Sequence, residues 1–338
     1  VGKNAGLSIT TGLNNTLIGA LAGDALTDAD RNVAIGQNAL SSDTLGSRST
    51  AVVQGALGTQ NFTTSTNAYN VAVGTLAGNA ITTGQYNTLL GGLAGDALTT
   101  PNHNVAVGYS ALTADTQGTS SVAVGRFALG AQNFTTATDS YNTAVGYNAG
   151  NDITTGFQNT LIGGLAGDAN TTGFNNISVG YDAMGANTAS GANVAIGYEA
   201  LKVYNNTADA SHFNVAVGTQ SGASLTTGTR NTFVGGLAGD ATDDGARNTA
   251  VGYLSLTSNC GNKNTAIGAL AGQAATGINN TIVGEEAGIL CTGDGNTFIG
   301  AYNSSSGGCG EAMTTGDNNT ILGAFNGNQN SVDIRTED

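Results

Sequence analysis

Asn142-Thr143-Ala144-Val145-Gly146-Tyr147-Asn148-Ala149-Gly150 is one copy of a phrase that recurs along the whole 338-residue chain. Its kernel is Asn-Thr/Val-x-Val/Ile-Gly, read again at Asn15-Thr16-Leu17-Ile18-Gly19 and Asn214-Val215-Ala216-Val217-Gly218. Counting looser copies, the kernel ends at Gly2, Gly19, Gly36, Gly55, Gly74, Gly91, Gly108, Gly125, Gly146, Gly163, Gly180, Gly197, Gly218, Gly235, Gly252, Gly268, Gly284, Gly300 and Gly323. The usual step is 17 residues, falling to 16 after Gly252. A period this short holds one or two strands and a turn or two, so it is a coil of a solenoid and not a domain. The sequence predicts an all-β fold: a parallel β-solenoid or β-roll with 16-17-residue coils, fibrous, built as an intertwined or side-by-side homotrimer.

The homotrimer is read from the strand pattern. Side chains alternate along a strand, so the residue before the anchor glycine and the one two positions earlier share a face. The residue before the anchor is aliphatic in every copy but the one at Gly55, and this near-uniformity predicts a solenoid core of Ile18, Ile35, Val73, Val107, Val145, Ile162, Ile196, Val217, Val251 and Ile299. The residue between them is apolar too: Leu17, Leu89, Leu161, Phe233, Ile282, Phe298 and Ile321, with Ala in many other coils. Apolar residues on both faces predict a strand covered on both sides. The middle row is therefore expected to be the subunit interface.

Asn precedes most strands, from Asn15 and Asn32 to Asn296 and Asn319. Stacked one per coil, these side chains are expected to form an amide ladder, and to tolerate the left-handed turn into the strand. After the anchor, Ala in x-x-Ala-Gly/Leu marks a place too narrow for a larger group. A second period lies above the first, because Gly2, Gly74, Gly146 and Gly218 stand 72 residues apart, four coils per block. Each fourth coil ends in a longer loop, at 61–69, 133–141 and 204–213. At about 4.8 Å per coil these loops recur every 19 Å or so along a shaft of roughly 90 Å. The expected organisation is a shaft over 1–251 with the 72-residue super-repeat, a continuation over 252–325 with shorter 16-residue coils, and a transition over 326–338 to a further C-terminal element.

Composition narrows the function. Gly is 53 of 338 residues, but with one Pro and no Gly-x-y period collagen is excluded. Net charge is −14, which disfavours nucleic acid and anionic membranes as partners, and no window resembles a transmembrane helix or signal peptide. Asp24, Asp96, Asp168 and Asp240 recur once per block and are read as turn or solubilising carboxylates rather than a Ca²⁺ ladder. Cys260, Cys291 and Cys309 form no CxxC; Cys291 and Cys309 fall at similar places in adjacent coils, so a disulfide is weighed there against free thiols. His103 and His212 lack a catalytic companion, and strings such as Gly91-Gly92-x-x-Gly95 lack the Lys and helix of a phosphate loop. No catalytic residue, metal ligand or cofactor is expected, and the reading is non-enzymatic. Loop aromatics Phe62, Tyr69, Phe134, Tyr141, Tyr204 and Phe213 are candidate contacts for sugars, set against packing of the loops onto the shaft.

The phrases Asn142-Thr143-Ala144-Val145-Gly146-Tyr147-Asn148-Ala149-Gly150 and Asn104-Val105-Ala106-Val107-Gly108-Tyr109-Ser110-Ala111-Leu112 resemble repeats of bacteriophage tail-fibre and related virion proteins. Those repeats often stand upstream of a chaperone domain of the endosialidase type, and the resemblance covers nearly the whole chain. More loosely, the pattern is similar to the head repeats of trimeric autotransporter adhesins. The resemblance implies a structural fibre of a virion, an extracellular appendage that supports host attachment. Its partners would be two further copies of itself, other virion proteins, and a host polysaccharide or receptor, with no nucleic acid and no membrane insertion. The alternatives are a bacterial trimeric surface adhesin, or a single-chain solenoid that binds ice or carbohydrate.

Overall fold

The computed structural model describes residues 2–302, 307–311 and 313–324, so the transition expected over 326–338 lies outside the described residues. Among the described residues every regular element is a β-strand, and the chain forms two compact units, Val1–Phe174 and Asn175–Asp338. Each unit stacks one three-residue strand per coil. In the first these are Thr16–Ile18, Val33–Ile35, Thr50–Val52, Val71–Val73, Thr88–Leu90, Val105–Val107, Val122–Val124, Thr143–Val145 and Thr160–Ile162. In the second they are Ile177–Val179, Val194–Ile196, Val215–Val217, Thr232–Val234, Thr249–Val251, Thr265–Ile267, Thr281–Val283, Thr297–Ile299 and Thr320–Leu322. All pair in parallel and in step, Ala144 beside Leu161 and Ala216 beside Phe233, so every position of the repeat becomes a vertical row. The predicted parallel β-solenoid is the observed fold.

The anchor glycine is required by stacking. At Gly146 and Gly218 φ is 144° and 138°, and a Cβ there would lie 2.3 and 2.4 Å from the next coil's carbonyl oxygen. Only a residue without a side chain permits both the dihedral and the approach. One anchor differs from the expected Gly55. Val52 pairs with Ile35, so the anchor of that coil is Val53 and not Gly55; Val53 holds a φ of 88°, unusual for a β-branched residue.

The inside and outside of the strand are opposite to the expectation. The middle residues Leu17, Leu89, Leu161, Phe233, Ile282, Phe298 and Ile321, expected at a subunit interface, point into the coil; all but Leu17 are buried, and Leu17 packs half-buried on the core. The row expected as core faces out. Ile18, Val73, Ile162, Ile196 and Ile299 are exposed, Ile18 by 47 %, and Ile35, Val107, Val145, Val217 and Val251 are half-exposed. The physical reason is volume. The interior is filled by the middle residue together with the residue after the Ala row, and these two sizes compensate.

In the coils of Ala34, Ala106 and Ala195 a fully buried Leu40, Leu112 or Leu201 follows six residues on, whereas Ala72, Ala144 and Ala216 are followed by Gly78, Gly150 and Gly222, beside which the next coil's Leu89, Leu161 or Phe233 packs. After Leu17, Leu89, Leu161, Phe233 and Ile282 that later place is Gly. A Cβ at Gly167 would sit 2.8 Å from Leu161, and one at Gly239 would sit 2.7 Å from Phe233. Each large residue also leans over the coil before it, for a Cβ at Gly150 would lie 2.6 Å from Leu161. The 72-residue super-repeat is thus a packing period, with one large middle side chain seated between two glycines in every four coils through Leu17, Leu89, Leu161 and Phe233.

The Asn row forms the expected ladder. Asn142 is typical: its Oδ1 accepts the backbone N–H of Asn159 at 2.9 Å and the Asn159 Nδ2–H at 3.2 Å, and its Nδ2 donates to Gly156 O at 2.8 Å. The same bonds recur at Asn214, whose Oδ1 accepts from Asn231 N at 3.0 Å and Nδ2 at 3.2 Å. These side chains are buried and fully used, which matches the cost of burying an unpaired amide. The left-handed residue is the one before each Asn, such as His103, Tyr141, Arg230 or Lys263, with φ between 48° and 62° at these four.

Candidate functional site

Three surfaces carry side chains that the fold does not consume. The first is the outward face of the strand row. Its aliphatic positions alternate with Thr or Val two residues earlier, and Tyr109, Tyr147, Tyr181, Tyr198, Tyr253 and Tyr302 stand just past the anchor, each about half exposed. Tyr181 stacks on Tyr198, with ring centres 5.9 Å apart. The rings of Tyr109 and Tyr253 lie beside Gly92 and Gly236 of the coil before, where a Cβ would make ordinary contact at 3.7 and 3.6 Å. In the second unit Thr232, Thr249, Thr265, Thr281, Thr297 and Thr320 occupy the first strand position in six successive coils.

The second surface is the left-handed row before the ladder Asn, whose side chains point to solvent. In the first unit it holds a stack: the Arg48 guanidinium lies 5.6 Å from the Tyr69 ring, Tyr69 stacks on Tyr86 at 5.7 Å, and Tyr86 on His103 at 5.2 Å. In the second unit the row reads Phe213, Arg230, Arg247, Lys263, all exposed. Sequence reading had singled out Tyr69, Tyr141 and Phe213 as loop residues, and these do face solvent, Phe213 by 57 %. The cations of the row, Arg31 and Arg48 before Tyr69 and Arg230, Arg247 and Lys263 after Phe213, share the same spacing from the ladder position.

The third surface is the long loop of each fourth coil. The other three candidate contacts, Phe62, Phe134 and Tyr204, are buried and pin these loops down, so they are not free for a ligand. Two short parallel pairs splice the loops to the coil before, Gly46–Ser47 with Thr66–Asn67 and Gly118–Thr119 with Thr138–Asp139. Beneath them lies a polar core. The Asp115 carboxylate, fully buried, accepts from Gly118 N at 2.9 Å, Phe134 N at 3.1 Å and Gln132 Nε2 at 2.6 Å. Gln132 in turn accepts from Asn142 Nδ2 at 2.9 Å. Asp43, Gln60 and Asn70 repeat the arrangement one block earlier. Burial pushes both carboxyl groups up in pKa, against the hydrogen bonds that hold them down. The third block replaces the motif with Asn187, Tyr204 and His212; the Tyr204 ring meets His212 edge-on at 6.1 Å.

The remaining candidates resolve as structure. All three cysteines are free and buried. Cys291 and Cys309 are not equivalent: Gly288 N donates to Cys309 O as Gly272 N does to Ala287 O, which places Cys309 in the Ala row while Cys291 packs at the opposite corner beside Asn296. Of the once-per-block carboxylates, Asp96 accepts the Thr113 hydroxyl at 2.6 Å, a coil-to-coil turn bond. No group of three His, Cys, Asp or Glu with metal-holding geometry occurs among the described residues, and no helix there is long and apolar enough to cross a membrane.

These observations define the class: a parallel β-solenoid repeat protein whose chemistry-bearing groups are mostly spent on stacking coils, leaving outward rows free for contact. Comparison with protein-family models, curated proteins and solved structures finds no match.

Proposed function

We propose that this chain is a structural and adhesive repeat protein, non-enzymatic, which self-assembles as a homotrimer into the shaft of a bacteriophage fibre. One observation carries the assembly: the outward strand row presents an aliphatic or aromatic side chain in coil after coil, with exposures near 40–50 % at Ile18, Ile162, Ile267 and Ile299. Scattered exposed hydrophobics are ordinary, but a contiguous band of this kind is the mark of an interaction surface. The interface is thereby moved from the middle residues to their strand neighbours. The virion role rests on the repeat resemblance. Immunogold labelling with antibodies to the chain tests it on particles and cells from the source material. Label on particle appendages is the expected result; label confined to bacterial envelopes would favour the trimeric surface adhesin instead.

A second reading has its own observation. Six successive outward Thr from Thr232 to Thr320 form a regular hydroxyl row on a parallel sheet, which suits a single-chain solenoid that binds ice or carbohydrate. A monomer in solution would move that reading ahead.

A further inference from the structure

We propose that Arg230, Arg247 and Lys263 form a binding site for a linear anionic polysaccharide, sulfated or carboxylated, running along the coils; this rests on the adhesive reading above. The chain has only nine Lys and Arg residues, yet three stand at the same register position of three consecutive coils. Each occupies the left-handed residue before a ladder Asn, with φ of 61°, 61° and 62°. Their backbones are fixed by bonds from Arg230 N to His212 O at 2.8 Å, Arg247 N to Thr229 O at 2.9 Å and Lys263 N to Ala246 O at 3.0 Å. The following Asn231, Asn248 and Asn264 lock the turn from the other side. Three like charges are therefore held on a rigid edge about 4.8 Å apart at the backbone.

Stacking like charges on neighbouring strands is unfavourable. Three other cations are engaged internally: Arg48 bonds Asn67, Arg126 lies over Phe127, and Lys202 pairs with Glu199 and Asp182. Among the described residues none of Arg230, Arg247 and Lys263 makes an ion pair. Two carboxylates close to the row are otherwise engaged: Asp243 accepts the Thr226 hydroxyl and Asp294 accepts Ile278 N–H at 2.8 Å. Thr229, Ala246 and Asn262 line an open groove beside the cations, too small in side-chain bulk to cover them.

Charge and shape select the ligand class. Guanidinium forks match carboxylate and sulfate oxygens in pairs. Phe213, one coil earlier in the same row and exposed, offers an aromatic face suited to the apolar side of a sugar ring. A net charge of −14 repels a densely charged polymer such as DNA along the rest of the surface. A glycan charged once per sugar or two satisfies the row and brings fewer excess charges past it.

The test uses the full chain and immobilised chondroitin sulfate and alginate, with neutral dextran and single-stranded DNA as comparison probes. One or both acidic glycans should bind, neutral dextran should not, and affinity should fall with salt as expected for release of roughly two to three counterions. The triple variant Arg230→Ser, Arg247→Ser, Lys263→Ser should lose at least tenfold in affinity, while Arg31→Ser, in the same row of the other unit, should lose nothing. Light scattering on the variants separates this outcome from failure of assembly, because an intact oligomer mass leaves the adhesive scaffold in place. Absence of glycan binding by the wild type, undiminished binding by the triple variant, or DNA binding as tight as the glycan's would overturn the proposal.

Discussion

Leu161 and Ile162 are neighbours in one strand and point to opposite worlds. Leu161 is sealed between Gly150 and Gly167, so Leu161→Ala should cost about 2–5 kcal/mol, read as a drop in the denaturant midpoint. Leu161→Asp should prevent the coil from forming, because it buries an unpaired charge. Ile162→Asp should leave the circular dichroism spectrum intact and instead disrupt association. Stable, wild-type-like folding of Leu161→Asp would refute the observed phase. The buried carboxylates allow a second test at this scale. Burial raises the pKa of Asp43 and Asp115 above their ordinary 3.8, so each binds a proton more readily folded than unfolded. Their contribution to stability is greatest below that ordinary value and is lost as pH rises through the folded pKa. The variant Asp43→Asn, Asp115→Asn should therefore gain melting temperature relative to wild type as pH rises across that window. Asn is tolerable there, since Asn187 fills the equivalent place in the third block and accepts Ser190 N–H at 3.3 Å. A pH-independent difference would remove these two carboxylates from the account.

At the scale of the coil, the Asn ladder is the connection between successive turns. Asn231 bonds Asn248 N at 2.9 Å, Gly245 O at 2.8 Å and Asn214 Oδ1 at 3.2 Å, all buried. Asn231→Ala strands at least one buried donor and one acceptor and should cost roughly 2–6 kcal/mol, taking about 1–3 for each; calorimetry showing less than half a kcal/mol would contradict the ladder's role. Much of this coil was legible from sequence, because Asn and Gly recur at fixed places for reasons that act within one coil or between neighbours. The strand's orientation was not. Uniform Val and Ile beside the anchor looked like a core, whereas the variable Ala, Leu and Phe of the middle row are the core, their sizes balanced by Leu40 or Gly167 six residues later. Co-variation of size across those two positions was the missed signal. The anchor at Val53 was masked by the missing glycine, although Thr50-Ala51-Val52 matches the strand kernel and Gln54 before Gly55 does not. The buried Phe62 and Phe134 were ambiguous for a different reason: loop aromatics are pinned by partners such as Asp43 and Asp115, which are distant in sequence.

At the scale of the whole molecule, a chain of 33.3 kDa presents one repeated apolar row outward, and the account assigns that row to contact between copies. The measurement that tests this most directly is molar mass in solution by light scattering, on wild type and on Ile162→Asp side by side. The account predicts about three times 33.3 kDa for the wild type and a lower mass for the variant at unchanged secondary structure. A wild-type mass near 33.3 kDa would contradict it and assign the outward row, with its six successive Thr, to a ligand of the single chain.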